Sequence, residues 1–194
     1  MSGLRENKKA ATRATLARAA AALALDRGAE GATVAAVAAA AGVSTRTFHN
    51  YFDSLEQALV EFILDRASAL AGQLNDLPGD VGLFDAVQAV VIDGLGHRHG
   101  ALDSFATLFR ISDVLQTLTG AQTRPELSAH LRPIFETVRP RAGELDDFGS
   151  RVAVNAAVAV AHTALETYYA LPEPRDRDVG EDLVRRAFSV LRSP

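Results

Sequence analysis

Residues 41–52, which read Ala-Gly-Val-Ser-Thr-Arg-Thr-Phe-His-Asn-Tyr-Phe, constrain the fold of this chain more than any other segment. Gly42 can supply the backbone freedom that a tight turn between two helices requires. Ser44 is a preferred N-cap residue, so a second short helix should begin directly after it. This helix would carry polar and basic side chains on one face and aromatic rings on the other. The segment therefore predicts a helix-turn-helix whose second helix enters the major groove of DNA.

Capping patterns on both sides delimit this motif. Thr33 can cap a preceding helix from Val34 to Ala41, and the alanine run that ends it allows the two helices to approach closely. Downstream, Ser54 and Gln57 have the spacing of a capping box. A new helix should therefore begin at about Leu55.

The N-terminal part of the chain resembles the signature of TetR-type (TetR/AcrR) transcriptional regulators over about residues 8–62. The matching residues are Leu23 through Gly28, Thr33-Val34, Val37-Ala38, Ala41 through Ser44, Thr47-Phe48, Tyr51-Phe52, Ser54 and Glu56. Three positions depart from the signature: Ala24 replaces a common phenylalanine, His49 a tyrosine that usually contacts phosphate, and Leu55 a lysine that usually does so. The last two departures predict fewer contacts to the DNA backbone than is usual in the family.

The resemblance implies an all-α protein with two domains. A three-helix helix-turn-helix DNA-binding domain would occupy residues 1–54, and six or seven helices for ligand binding and dimerisation would occupy residues 55–194. The later sequence agrees, because its apolar residues recur at helical spacing and are punctuated by Gly and Pro. The predicted later helices cover about 55–75, 83–97, 125–138, 147–171 and 178–191, with a further segment around Phe105 that could break near Arg110.

Charge is distributed unevenly along the chain. Residues 1–52 hold seven Lys and Arg against three Asp and Glu, whereas residues 53–194 hold thirteen against twenty-one. A basic segment gains free energy from counterion release on a phosphate backbone, and the acidic remainder would be repelled from it. The protein should therefore meet DNA with its N-terminal part. An ordinary solvated helix face would show a similar small excess, so this argument depends on the neighbouring motif.

Two kinds of DNA contact can be assigned from side-chain chemistry. The candidate base readers are Thr45, Arg46 and Asn50. Arginine can form two parallel hydrogen bonds with a guanine edge, and asparagine can do so with an adenine edge. Nearby hydroxyl, imidazole and basic groups suit phosphate oxygens. The candidate phosphate contacts are Thr33, Ser44, Thr47, His49, Tyr51, Lys8, Lys9 and Arg13. A place in the core is an equal alternative for Tyr51, and Phe48 and Phe52 are expected to be core.

The predicted helix at about 147–171 is apolar around most of its circumference, so it should be covered on several sides. The family resemblance implies that it and the helix at 178–191 pair with a second copy to form a homodimer. A dimer also suits DNA recognition, since two recognition helices about 34 Å apart read a palindromic operator that one helix cannot specify. A monomer would have to bury the same surface internally.

The resemblance further implies a small apolar or amphipathic effector held inside the C-terminal helices. Candidate pocket residues are Phe105, Phe109, Gln116, Phe135, Asn155 and His162. For the aromatic residues, ordinary core packing is the competing interpretation. For His162, the alternative is a structural role at the subunit interface, paired with Glu166 one turn further along.

Several other classes of protein have no support in the sequence. The chain contains no cysteine, so it can form neither a disulfide nor a thiolate metal site. It shows no recognised catalytic or phosphate-binding motif, and His97 and His99 have poor spacing for a shared metal. No catalytic residue, metal or cofactor is therefore expected. No apolar segment is long enough to span a bilayer and residues 1–25 lack a signal-peptide layout, so we expect a cytoplasmic protein that needs no membrane.

Together these features predict a ligand-responsive repressor. The competing hypothesis is an all-helical small-molecule carrier with a degenerate DNA-binding domain, motivated by His49 and Leu55. An activator, or a repressor that responds to no ligand, stays open at this point. A steep fall of DNA affinity with salt would separate a regulator from a carrier.

Overall fold

A computed structural model describes residues 2–95, 102, 104–120 and 124–192 of the chain. Its regular secondary structure within these ranges is helical, which confirms the predicted all-α class. The α-helices are α1 Ser2–Gly31, α2 Val34–Ala40, α3 Thr45–His49, α4 Leu55–Asp76, α5 Leu83–Gly94, α6 Phe105–Thr119, α7 Arg124–Val138, α8 Asp147–Ala170 and α9 Arg177–Val190. A short 3-10 helix, Arg139–Ala142, follows α7.

Most predicted helix boundaries agree with the structure within two residues. The predicted helix at 83–97 ends earlier, at Gly94, and its expected last residue lies outside the described ranges together with the rest of 96–100. The prediction of a possible kink or break in the helix near Arg110 was wrong. α6 continues from Phe105 to Thr119, because this stretch contains neither Gly nor Pro and its apolar residues keep a helical period.

The described residues divide into two compact units. The first unit draws on Met1–Arg66 and Thr107–Ala129, and the second on Ala67–Ala106 and His130–Pro194. In the first unit, α2 packs against both α1 and α3. The largest fully buried side chains of this unit are Leu16, Val37, Phe48, Phe52, Leu59, Ile63, Ile111 and Leu115. In the same unit, Arg110 donates a hydrogen bond to the carbonyl of Leu25 at 3.2 Å.

In the second unit, α8 and α9 form the most extensive helix pair, and α5 packs against both of them. Val91, Val184 and Phe188 are fully buried in this unit. Gly180 of α9 lies directly against the ring of Tyr168 in α8. A Cβ atom at Gly180 would come within 2.8 Å of the ring carbon Cε2 of Tyr168, so the approach of the two helices depends on the missing side chain.

α8 contains enough polar residues to keep it from being a membrane span. Arg151, Asn155 and Glu166 lie on its exposed side. Across the described ranges, no helix combines the length and the apolar character that crossing a bilayer requires.

Candidate nucleic-acid interface

The turn between α2 and α3 has the hydrogen bonds of a Schellman motif. The Gly42 N–H donates to the carbonyl of Ala39 at 3.1 Å, and the Val43 N–H donates to the carbonyl of Ala38 at 2.9 Å. Gly42 takes the left-handed conformation, with a φ of 69°. The turn that the sequence predicted at this glycine is therefore present, and its backbone conformation favours glycine.

Side-chain caps fix where α2 and α3 begin. The Thr33 hydroxyl accepts a hydrogen bond from the N–H of Ala36 at 3.2 Å, and the Ser44 hydroxyl accepts one from the N–H of Thr47 at 3.1 Å. These contacts satisfy backbone donors that have no partner inside the helix. Since α3 has only five residues, its start determines which way each of its side chains faces.

The predicted base readers share the exposed surface of α3 and its C-cap. Thr45, Arg46 and Asn50 are all exposed, whereas Phe48 is completely buried. Asn50 caps α3 with a helical backbone and donates its N–H to the carbonyl of Arg46 at 3.2 Å. Arg46 and Asn50 therefore stand one turn apart on one face, where both can present hydrogen-bonding groups to neighbouring base edges.

The predicted phosphate contacts lie in several environments. Lys8 and Lys9 are exposed on α1, Thr33 and Ser44 are exposed at helix N-termini, and His49 is exposed at the end of α3. The His49 ring packs edge-on against the buried Phe48 ring at 5.6 Å. Thr47 and Tyr51 are half-buried. Assignment of these residues to phosphate stays a prediction.

Arg13, also predicted to contact phosphate, already has several partners within the first unit. Its guanidinium forms two hydrogen bonds of 2.9 Å with the carboxylate of Glu61 and donates a third to the carbonyl of Tyr51 at 2.5 Å. It also lies 4.3 Å from the centre of the Phe52 ring. The hydrogen bonds that Arg13 donates to Glu61 raise the pKa of Arg13, against a smaller opposing effect of burial.

These contacts give Arg13 a second role that the sequence did not reveal. The side chain ties α1 to α4 and to the residue that follows the α3 cap, so it helps to hold the recognition helix in place. Glu61 compensates much of the charge that would attract a phosphate. No local pattern could have identified this pair, because 48 residues separate Arg13 from Glu61.

The start of α4 explains one departure from the family signature. Leu55 is 7% exposed and belongs to the core, so this position stabilises the domain rather than reaching towards phosphate. The predicted capping box is present, since the N–H of Gln57 donates to the Ser54 hydroxyl at 3.3 Å. The Gln57 side chain reaches one residue further back than expected and accepts from the N–H of Asp53 at 2.7 Å.

The predicted effector-pocket residues are not alike in burial. Phe105 and Phe109 are buried, and Phe135 and His162 are half-buried. Gln116 and Asn155 are exposed. Asn155 lies on the exposed side of α8. Their role around an effector stays a prediction.

The described residues give no indication of a metal centre. Across 2–95, 104–120 and 124–192, no group of three or more His, Cys, Asp or Glu is arranged to hold a metal ion. His97 and His99, the pair considered in the sequence, lie outside the described ranges.

Comparison with known proteins agrees with this geometry. Residues 16–61, which contain the capped α2 and α3, match the family described as bacterial regulatory proteins, tetR family. This chain carries a TetR-family domain. The family identification made from the sequence is thereby confirmed for this N-terminal segment, which supports a role as a transcriptional regulator.

The similarity in fold extends beyond the matched TetR segment. A crystal structure from Mesorhizobium loti, of a provisionally assigned TetR-family transcriptional regulator, superposes with a TM-score of 0.56. The alignment covers 94% of this chain and 95% of that one at 14% sequence identity, so it shows a shared fold. No curated protein matches the chain.

Proposed function

We propose that this TetR-type protein is a ligand-responsive repressor that binds a palindromic operator as a homodimer and is released by a small apolar or amphipathic effector. The observation that carries the proposal is the surface of α3. Its caps and the buried Phe48 ring hold the helix so that Thr45, Arg46 and Asn50 face outwards.

Each of these three side chains has a matching chemistry on a base edge. The Arg46 guanidinium can donate two parallel hydrogen bonds to O6 and N7 of guanine, and the Asn50 amide can pair with N6 and N7 of adenine. Thr45 offers a hydroxyl for a base edge and a methyl group for thymine. Each good pair contributes about 1–3 kcal/mol of discrimination against the wrong base.

Dimerisation is supported by large apolar side chains of the second unit that a single copy of the protein leaves exposed. Phe148 is 67% exposed on α8 and Val190 is 70% exposed on α9. Val152 of α8 and Val179 of α9 are also exposed, at 49% and 43%. Large apolar side chains exposed on two helices that pack against each other suit a protein interface. A second copy related by a two-fold axis would cover the same residues on both chains and would present two α3 helices to a palindrome.

Ligand response requires that an effector favour one conformation of the dimer over the other. To release an operator usefully, it must bind the DNA-incompetent state more tightly by a few kcal/mol, on the order of a thousandfold. α4 is suited to carry such a change. It starts directly after the DNA-binding motif and runs for 22 residues as one helix, about 33 Å at the standard rise.

The base-reading assignment is tested by replacing the readers. Arg46→Ala and Asn50→Ala, each in the full chain, should weaken binding to DNA from upstream of its own gene by about ten- to a hundredfold. Arg132→Ala, which removes an exposed arginine of α7, is the matched control and should bind as the parent does. Affinities are measured by gel-shift at fixed salt, with light scattering to show that each variant keeps its oligomeric state. Unchanged affinity in both reader variants would remove the assignment.

A salt titration of the parent protein separates the regulator from the carrier hypothesis. A repressor using several basic contacts should lose operator affinity steeply as salt rises, with a logarithmic slope of roughly one unit for each phosphate neutralised. The same experiment on scrambled DNA gives the nonspecific reference. Equal affinity for both fragments would favour the carrier. The buried position of Leu55 already supplies a structural reason for that residue, which had been one motive for the carrier hypothesis.

A further inference from the structure

The second unit contains a cavity of about 170 Å³ between the start of α5, the residues before and at the start of α8, and the end of α9. The apolar residues that line it are Leu83, Phe84, Ala142, Leu145 and Ala153. Its charged lining consists of Arg141, Arg192 and Asp85. This lining shares no residue with the effector pocket that the sequence predicted.

The cavity is partly open to solvent, and its volume is that of a small ring compound. An apolar protein cavity of about 150 Å³ is large enough to hold benzene. The space here would accept one ring with a small substituent. Because two arginines stand beside an apolar wall, the wall suits the body of a ligand and the arginines suit an anionic group at one end.

Arg141 is held in an unusual way for a charged side chain. Its Nη1 donates to the carbonyls of Pro78 and Val81, both at 2.9 Å, and its Nη2 donates to those of Leu77 at 2.6 Å and Asn75 at 3.4 Å. All four acceptors are uncharged backbone oxygens. Among the salt bridges of the described residues, none includes Arg141, so no carboxylate of this part of the chain offsets its charge there.

The four hydrogen bonds of Arg141 do not use its Nε donor. A guanidinium has five N–H donors, and the four carbonyls engage only the Nη1 and Nη2 groups. A carboxylate at the Nε and Nη2 edge would gain the fifth donor and would compete with the carbonyl of Asn75, whose 3.4 Å hydrogen bond is the longest of the four. Bidentate binding of a carboxylate is stronger than the hydrogen bonds an arginine makes to neutral carbonyls.

Arg192 adds a second cation at the rim. Its Nη2 donates to the carboxylate of Asp85 and to the side-chain oxygen of Gln88 at 3.3 Å. The Asp85 side chain is 65% exposed, so water weakens this pair. Two arginines and one aspartate leave a net positive charge around the cavity, which favours an anion over a neutral ligand of the same shape.

We propose that this cavity binds a small monocarboxylate with an apolar, ring-sized body, and that Arg141 holds its carboxylate. The further step, that this ligand is the effector, rests on the proposed function. Asn75 belongs to the last turn of α4. A carboxylate that draws Arg141 away from the Asn75 carbonyl would loosen the end of the helix that begins at the DNA-binding motif.

The test uses the full chain and benzoate, with benzyl alcohol as the uncharged ligand of the same shape. At constant ionic strength, calorimetric titration should show benzoate binding about tenfold more tightly than benzyl alcohol, because only the anion gains charge-assisted hydrogen bonds. Equal binding of the two compounds, or no binding of benzoate, would overturn the site.

Three variants locate the binding. Arg141→Gln should abolish the preference for benzoate. Ala153→Leu should block both compounds by filling the cavity. Arg192→Gln should weaken benzoate binding by only about threefold, since the Arg192 side chain is partly exposed, and should leave the binding of benzyl alcohol unchanged. Arg132→Gln, an exposed arginine of α7, is the control. If Arg141→Gln does not fold, the other two variants still decide the question, and benzoate binding unchanged in both would contradict the location.

Operator binding separates the site from its role. If benzoate binds as described and also weakens operator binding, both the site and its function as the effector site are supported. Binding without any effect on operator affinity keeps the site and removes the effector role. A protein that binds the operator but not benzoate keeps the proposed function and overturns the site.

Discussion

The α3 region and the α8–α9 pair both expose one face of a helix, but the two faces differ in chemistry. α3 and its cap expose Thr45, Arg46 and Asn50 above a buried Phe48. The α8–α9 pair exposes Phe148 and Val190. Polar groups held by caps suit the edges of bases, whereas large apolar side chains gain free energy only when another apolar surface covers them. The comparison supports the proposal that the first region contacts DNA and that the second contacts another copy of the chain.

The largest effect should come from placing charge on the apolar face. Phe148→Asp would bury a carboxylate without a partner in the proposed interface, so the dimer should be weakened by about 3 kcal/mol, a hundredfold or more in its dissociation constant. Sedimentation over a range of concentrations measures the change. Ser68→Asp, an exposed position on α4, is the control. A dimer as stable as the parent's would place the interface elsewhere.

The next effect concerns the arginine that holds the recognition region. Arg13→Met removes the two bonds to Glu61 and the bond to the Tyr51 carbonyl, and should lower the free energy of unfolding by about 2 kcal/mol. Arg13→Lys keeps the charge but lacks the planar guanidinium that pairs with both carboxylate oxygens. It should therefore lower the free energy of unfolding by roughly half as much. Denaturant melts of the three proteins make the comparison.

The pH dependence of this pair follows from the raised pKa of Arg13. A group whose pKa is higher in the folded state stabilises the protein below its unfolded pKa and loses that effect as the pH rises through the folded one. The difference between parent and Arg13→Met should therefore persist from neutral to moderately alkaline pH. A difference that vanished across this range would contradict the pairing.

Two glycine-to-alanine substitutions should change stability in opposite directions, and this difference tests how closely α8 and α9 pack. Gly180→Ala places a methyl group against the Tyr168 ring and should destabilise by about 1–2 kcal/mol even after the gain in helix propensity. Gly72→Ala in α4 meets open space and should stabilise by up to about 1 kcal/mol. Thermal melts that showed the same sign for both would contradict the close approach.

The smallest effect is expected at the α3 cap. Ser44→Ala leaves the N–H of Thr47 without its acceptor and should cost about 1 kcal/mol of stability, with a further loss of operator affinity as α3 frays. Ser68→Ala makes the same substitution inside α4, where it should be neutral or slightly stabilising. Equal melting temperatures for both variants would show that the cap contributes nothing.

Interactions between neighbours in the sequence were predictable, and those between distant residues were not. Thr33, Ser44 and Ser54 predicted where α2, α3 and α4 begin, because a capping hydroxyl and the backbone N–H that it accepts from lie only three residues apart. The exposure of the three candidate base readers also followed from their place on and beside a short helix. By contrast, Arg141 reaches carbonyls 60–66 residues away, and no local pattern predicts which distant backbone oxygens will meet a guanidinium.

The Schellman turn at Gly42 has a consequence for how this protein could acquire a new operator. One residue inserted into or deleted from this turn would break its two hydrogen bonds and displace α3, with Arg46 and Asn50, relative to α2. The length of the turn is therefore fixed, while the side chains at 45, 46 and 50 make no core contact that would resist exchange. Under the proposed base-reading role, this protein can change its operator by substitution at these three positions while its fold stays the same.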